Sequence, residues 1–463
     1  MRESPALAAA RPVGRPSVHA MPAATAGAVV LLAAGVWLYA LLVFVPAQQR
    51  QGAAAGVTAG PYHSDLYETW LGSREMLWQG RDPYSPAVTA DIQRGFYGRP
   101  LTASDTITNT EQFVYPAYTA FLLVPLTVFP FEWVTAAFYP LALGLLALSV
   151  PLWLTGLRWR LAPGAAGLLA LLGASTATGA IVVLIQQPTV LVAALLAGAA
   201  ALLGWAGSGN PARRPWLYAE AGVLLALATV KPPLSVPLIG WLLVWLLGDW
   251  RRRQALAWGL GGALVLLAGG AWLLVPGWPA EWWAALTAFQ SYAPGQSLLT
   301  GLLPPGWGGP ALGALAGLIA LHAWAVRRAE PGDAAFGTGL ALALLFSVIS
   351  YPGWAAYNQV ILYPAALLVL QQAGRFHRSG APARVVLVLA GALLLLPWAL
   401  APGVAGIWLG LAAAQDAAAA TAAVTPYWAI PVLASFWMPF ALLLPVLLLA
   451  GWTLRRPAAA EGP

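Results

Sequence analysis

Charge is scarce in this chain: only 8% of its 463 residues are Asp, Glu, Lys or Arg. A soluble domain carries about 25%, so a water-soluble globular fold is excluded. Cysteine is absent, which excludes disulfides and thiolate metal sites and leaves the redox compartment unread. Lysine occurs once, at Lys231, and histidine only as His19, His63, His322 and His377. No two histidines stand at ligand spacing, so no metal is expected. The chain also lacks a Gly-rich phosphate loop and a nucleophile-elbow motif. It has no soluble nucleotide-binding domain, which excludes an ATP-driven pump built from this chain alone.

What is present is apolar: 60% of residues are hydrophobic and the mean hydropathy is +0.73. The apolar runs are continuous over about 18–25 residues rather than alternating over about 10, which selects membrane-spanning helices over a barrel. The first run, Ala26–Val45, follows Arg2, Arg11 and Arg15. It is longer than the 7–15 residues (roughly) of a signal-peptide core, so a retained helix is expected. Cleavage near Ala53-Ala54-Ala55 is the alternative. The formal net charge of +7 would suit nucleic acid in a soluble protein. Here the arginines sit in short loops between apolar runs, the positive-inside pattern. The expected partner is therefore the bilayer, and no nucleic acid.

Charge parity sets the expected topology. Val29–Val45 runs outward, and the polar segment from Gln48 to Gln112 lies outside. Phe113–Pro130 is apolar but cut by prolines. If it crossed, Arg158/Arg160, Arg213/Arg214, Arg251–Arg253, Arg327/Arg328, Arg375/Arg378 and Arg455/Arg456 would all face outward. If it dips in and returns, all of them face inward, as the rule for short loops requires. Spans then follow at Trp133–Leu157, Pro163–Ile185, Val190–Gly207, Trp216–Val230, Leu234–Leu247, Leu256–Pro276, Ala311–Val326, Ala334–Ser350, Gln359–Gln372, Val385–Leu400 and Ala429–Leu454. The expectation is an all-α polytopic membrane protein of about 12 transmembrane helices. Residues 1–25 and 457–463 are expected as cytoplasmic tails, 26–456 as the membrane domain, and 47–131 as a long first outer loop with amphipathic surface helices and a re-entrant segment. Ala412–Ala423 reads as an external loop or short surface helix. Both termini face the cytoplasm of a plasma-membrane protein, and the polar motifs that interrupt the helices all fall at outer ends.

The outer loop concentrates carboxylates in a chain that has few: Asp65, Glu68, Glu75 and Asp82 lie between Tyr62 and Tyr84. Asp65 opens an amphipathic helix that ends at Gly80, with apolar residues at helical spacing. It reads first as a helix cap, with Glu68 three residues on as in a capping box; a general base beside a membrane cavity is the second reading, compatible with the first. Asp82 before Pro83 reads as a turn residue. His63 has no ligand partners and serves at most to modulate Asp65. Lys231, between Val230 and Pro232-Pro233, reads either as a snorkelling lysine or as a cation for phosphate. Gln186, Gln187, Gln296 and Ser297 suit a hydroxylated ligand or an ordinary loop.

Taken together, S-D-L-Y with G-R-D-P-Y, then F-V-Y-P-A, Q-Q-P-T, V-K-P-P, G-Q-S-L and S-Y-P-G-W-A-A-Y-N resemble glycosyltransferase family 87 over about Tyr62 to Pro364. The resemblance implies a GT-C fold and a polyprenyl-phosphate-mannose-dependent mannosyltransferase. No cofactor is implied beyond the lipid-phosphate sugar as co-substrate, and the acceptor is a glycolipid or glycan hydroxyl. It further implies Asp65 as general base, in-line attack with inversion, and phosphate departure aided by Lys231, Arg74 or Arg81. His63, Glu68, Tyr115, Gln187, Gln296, Tyr357 and Asn358 are expected around the substrates. Two departures stand out: Tyr115-Pro116-Ala117 replaces the usual Tyr-Pro-Pro, and Tyr357-Asn358 stands where many members carry histidine. A transporter or flippase of lipid-linked sugars, or a scaffold subunit with a decayed site, are the competing readings. The carboxylate-rich outer loop and the one-sided motifs favour an enzyme over a transporter, whose sites sit at the midplane.

Overall fold

The structure is a computed structural model. It describes residues 23–54, 62–102, 105, 110–207, 214–292, 296–353 and 355–455. The expected tail through residue 22, the cleavage alternative at Ala55, Arg213, Ala293-Pro294-Gly295, Arg456 and the tail 457–463 lie outside the described residues.

Among the described residues every regular element is a helix. The first is α1 (Ala23–Tyr39), which passes through one wide turn at Ala40–Phe44 into α2 (Val45–Ala54). The outer-loop helices α3 (Asp65–Gln79) and α4 (Pro86–Tyr97) follow, then the short α5 (Thr119–Thr127) and the long α6 (Phe131–Gly156). α7 (Pro163–Ala174) and α8 (Ala177–Leu184) meet at a 61° bend. Next come α9 (Thr189–Ala206), α10 (Pro215–Ala228), α11 (Pro232–Leu246), α12 (Trp250–Leu274), α13 (Trp278–Tyr292) and α14 (Leu298–Leu302). α15 (Gly308–Ala325) and α16 (Ala334–Ile349) precede a 3₁₀ turn at Ala356–Leu362. The remaining helices are α17 (Tyr363–Gln371), α18 (Ala373–Arg378), α19 (Ala381–Ala414), α20 (Ala417–Val424), α21 (Ile430–Ala434) and α22 (Met438–Arg455).

Each expected span has a helical counterpart. Seven stretches are long and apolar enough to cross a membrane, and an eighth if the bent α7–α8 pair is one span. α10, α11 and α16 are apolar but shorter, and the break between α10 and α11 falls at Lys231-Pro232-Pro233. Expected span Gln359–Gln372 is a 3₁₀ turn followed by the nine-residue α17, and Ala429–Leu454 is broken ahead of Met438; the largest shift of a boundary is at α19. α19 does not stop near Leu400 but continues to Ala414 through Pro397 and Pro402. Pro402 lies against Gly35 of α1, where even a methyl group would approach to 2.6 Å. Packing therefore holds the helix through residues that locally disfavour it.

The central helices cross on glycines. A Cβ on Gly259 would come within 2.1 Å of Ala219 O, and one on Gly222 within 2.3 Å of Leu256 O, so α10 and α12 meet backbone to backbone. Small residues drive such contacts in lipid, where hydrophobic sequestration adds little between helices.

The two ends of this bundle differ in chemistry. At one end Arg158 Nε donates to Gly204 O (3.3 Å), Gln371 Nε2 donates to Leu157 O (3.2 Å), and Arg252 meets Glu330 (3.4 Å). The described arginine turns gather there. Phe113–Pro130 begins and ends at the opposite end: Tyr115 reaches Gln187, and just beyond the segment Thr135 O accepts from Gln186. Its helix α5 has nine residues, about 14 Å of rise against a hydrocarbon core of about 30 Å. The segment returns rather than crosses, as charge parity requires. Its terminal carbonyls are taken up by α3: Trp70 Nε1 donates to Leu126 O (3.1 Å), and Arg74 Nη1 to Thr127 O (2.7 Å).

Candidate active site

α3 begins one residue earlier in function than the capping-box pattern suggests. Ser64, in extended backbone, is the cap, and its hydroxyl accepts from Leu66 N at 3.2 Å. Asp65 is the first helical residue, so its carboxylate is not engaged in capping; the capping alternative for Asp65 is corrected on this point. The far end is as expected: Gly80 closes the helix in the left-handed conformation (φ 61°).

The turn between α8 and α9 locks onto this helix start. Asp65 N donates to Ile185 O at 3.1 Å. Ser64 Oγ donates to Gln186 Oε1 at 2.6 Å, and Gln186 Nε2 donates to Thr135 O at 3.0 Å. Gln186 itself has φ +56°, a conformation that non-glycine residues rarely adopt. That twist closes α8, with Gln187 N donating to Val182 O at 2.9 Å.

Gln187 is the hub. Its Nε2 donates to Asp65 Oδ2 at 2.7 Å. Its Oε1 accepts from Tyr115 OH at 3.2 Å and from Lys231 Nζ at 3.3 Å. Lys231 also donates to Thr189 Oγ1 at 2.7 Å and lies over the Tyr357 ring, 4.8 Å from its centroid. Thr189 in turn donates to Asn358 Oδ1 at 3.2 Å. One network thus joins five separate segments: the start of α3, the loop before α5, the α8–α9 turn, the α10–α11 break and the 3₁₀ turn. Thr189, the last residue of the Q-Q-P-T motif and not among the expected site residues, is part of it.

Tyr115, Gln187, Lys231 and Asn358 are buried, whereas Asp65, Glu68 and Tyr357 keep some accessible surface. Asp65 is nevertheless enclosed by protein, the situation of a group lining a recess. Burial pushes its carboxyl up to about 6, against the opposing pull of the Gln187 hydrogen bond and the Lys231 charge. Its Oδ2 takes the Gln187 bond, and no described residue donates to Oδ1. That oxygen is free to accept a proton.

Glu68 lies one turn further along α3 and is hydrogen-bonded to Glu111. Burial, the Glu111 charge and the Asp65 charge hold Glu68 well above the usual carboxylate range. Two carboxyls in one hydrogen bond share a proton. Glu111 is buried and has φ +40°. Nothing in its spacing separated it from a solvated loop residue, so sequence reasoning missed it. Among the described residues no three His, Cys, Asp or Glu side chains are arranged to hold a metal ion.

Other expected residues stand apart. His63 is exposed and packs against Phe96 with the rings tilted at 46°, 4.2 Å between centroids. Gln296 is exposed ahead of α14, which Ser297 caps. Arg74 binds the carbonyls that end α5 and lies 5.4 Å from the Trp70 ring. Nine residues along α3 from Asp65, it sits about 14 Å away on the opposite helix face. Arg81 is held by Glu75 (2.7 Å) and Asp91 (2.9 Å). Neither arginine joins the Asp65 network. Asp82 makes the expected turn, accepting from Tyr84 N at 2.9 Å, and also hydrogen-bonds Glu281 of α13. Arg81 is partly exposed in its ion pairs, so Arg81→Gln is expected to cost no more than about 1 kcal/mol of stability and to leave turnover unchanged in a steady-state assay.

Residues 113–350 match the family model for glycosyltransferase family 87. No curated protein and no solved structure matches the chain. The matched residues include Tyr115, Gln187, Thr189 and Lys231, but Asp65, Tyr357 and Asn358 lie outside them. The case for those three rests on the network itself.

Proposed function

Because the chain belongs to glycosyltransferase family 87 and is a multi-pass membrane glycosyltransferase, we propose that it moves a sugar from a polyprenyl-phosphate donor to an acceptor hydroxyl, with Asp65 as general base. The observation that carries this reading is the position of Asp65: one carboxylate oxygen is held by Gln187, and the other has no protein donor among the described residues. The acceptor oxygen attacks the anomeric carbon while its proton passes to Asp65 Oδ1. The bond from that carbon to the phosphate oxygen breaks, its electron pair leaves with the lipid phosphate, and the anomeric configuration inverts. Lys231 is the cation nearest the reacting centre among the three considered, and its charge favours the developing phosphate anion. Mannose is the expected sugar, and a glycolipid or glycan hydroxyl the expected acceptor. Glu68, Tyr115, Tyr357 and Asn358 surround the reacting groups; His63 and Gln296 would act further out, on the acceptor's distal parts.

The direct test supplies the purified protein in nanodiscs with polyprenyl-phosphate-mannose and a panel of glycolipid acceptors. Product of inverted configuration by NMR supports the reading. Movement of the donor across vesicles without any transfer would support a flippase instead and overturn it.

A base whose carboxyl titrates at about 6 must be ionised to act. The rate of transfer is therefore expected to fall about tenfold per unit on acidification below pH 6 and to level off above it. A profile of kcat/KM against pH checks this; a flat profile between about pH 5 and 7.5 would remove Asp65 from the base role.

We place the reacting end on the outer face of the plasma membrane, with both termini and the membrane domain 26–456 oriented accordingly. Positive-inside charge supports this, since the arginine turns gather at the opposite end. The absence of native cysteine makes single-cysteine mapping clean. Gln296→Cys should react with an impermeant maleimide on intact cells and Arg251→Cys should not.

A further inference from the structure

The single lysine of the chain is expected to meet the donor phosphate, yet its donors are already engaged. An ammonium has three N–H groups. Those of Lys231 are directed at Thr189 Oγ1 (2.7 Å), at Gln187 Oε1 (3.3 Å) and at the face of Tyr357 (4.8 Å to the centroid). The residue is buried, with 7% of its surface accessible. Thr189 accepts from Lys231 through a lone pair while its own O–H donates to Asn358 Oδ1.

The bond to Gln187 has a directional consequence. A side-chain amide can place its oxygen and its NH2 group either way round unless its neighbours decide. Here Lys231 and Tyr115 both donate to Oε1, filling its two lone pairs. The NH2 group must then point the other way, and there it meets Asp65 Oδ2. Were the amide reversed, a carbonyl oxygen would face a carboxylate and turn it away.

We propose that Lys231 is a positioning residue: by fixing the Gln187 amide it aims the free oxygen of Asp65 at the acceptor hydroxyl, and it does not itself ligate the donor phosphate. This rests on the reading of Asp65 as general base. The positive charge of Lys231 still acts across the site, but its contacts orient the base.

The test is a double-mutant cycle on steady-state kinetics with polyprenyl-phosphate-mannose as the varied donor. Lys231→Met and Gln187→Met are each expected to lower kcat by about 10- to 100-fold, the scale of a misplaced catalytic group, with donor KM within about twofold. Because both remove the same constraint, the double variant should be no worse than the poorer single one. Lys231→Arg, which keeps donors for Gln187, should recover part of kcat. A donor KM raised tenfold or more in Lys231→Met but not in Gln187→Met, with additive losses in the double variant, would overturn the proposal and make Lys231 a phosphate ligand. If Lys231→Met does not fold, the same prediction is read from Gln187→Met and Lys231→Arg. Asp65→Asn is measured alongside: retained turnover there sinks the base reading, whereas loss there with an additive cycle sinks only the role given to Lys231.

Discussion

Replacing Asp65 by Asn is expected to lower turnover by about 10²- to 10⁴-fold while leaving the folded protein as stable as before or more so. Asn preserves the shape, the first helical position and an oxygen for Gln187 Nε2; it removes the basicity. The stability side has a definite sign. Burial raises the folded-state pKa of Asp65 to about 6, above its ordinary value near 4. Folding therefore favours the protonated form. The cost of holding the carboxylate in the fold is absent below about pH 4, grows as pH rises through 6 and is complete above it. At about pH 7.5 the Asn variant is expected to match the parent or exceed it by up to about 3 kcal/mol, and the gap should fall to about half by pH 5 and close below about pH 4. Thermal unfolding in detergent at the two pH values reads this, with transfer measured on the same samples. An Asn variant that melts earlier at the higher pH would make Asp65 a structural residue, and one that keeps its turnover would remove it from the chemistry.

The membrane architecture was legible because it follows from coarse physics. Long apolar runs have one solution in lipid, and counting arginines decided that Phe113–Pro130 returns rather than crosses. Partners were less legible, because they depend on residues far apart in sequence. Asp65 and Gln187 are separated by 122 positions, and neither motif states that they touch. The helix start shows the limit at the finest scale. Ser64 and Asp65 are both good caps, and the choice falls to Ser64 because the α8–α9 turn supplies Gln186 for its hydroxyl and Gln187 for the neighbouring carboxylate. That turn exists because Gln186 adopts a left-handed backbone, which no local preference predicts for glutamine. Glu111, in the loop before α5, was invisible for the same reason: its importance lies in the Glu68 carboxyl on α3.

The arginine end supplies the largest expected effect on stability, at a residue that sequence reasoning treated as an orientation signal alone. Arg251, Arg252 and Arg253 look equivalent in sequence; in the fold the first two are exposed and Arg253 is buried. Its Nη1 donates to Trp245 O (2.7 Å) and Arg327 O (2.6 Å), its Nη2 donates to Ala329 O (3.2 Å), and its guanidinium stacks 3.8 Å from the Trp245 ring centroid. Trp245 Nε1 donates to the same Ala329 O at 2.8 Å. The carbonyls belong to the end of α11 and to the turn between α15 and α16, so one side chain ties three helical elements together. Arg253→Met keeps the apolar bulk over Trp245 but removes three hydrogen bonds from a charged donor, each worth about 1.5–3 kcal/mol; Ala329 O keeps Trp245 Nε1 and Trp245 O keeps Gly248 N. A loss of about 3–5 kcal/mol is expected from these bonds and the lost stacking together. Arg251→Met should stay within about 0.5 kcal/mol of the parent, as exposed substitutions usually do. Both variants keep the Asp65 network at the other end, so kcat per folded molecule should be unchanged in each. Equal melting of the two variants would mean that the three arginines act only through their charge, and a fall in kcat of the folded Arg253→Met protein would mean that the two ends of the bundle are mechanically coupled.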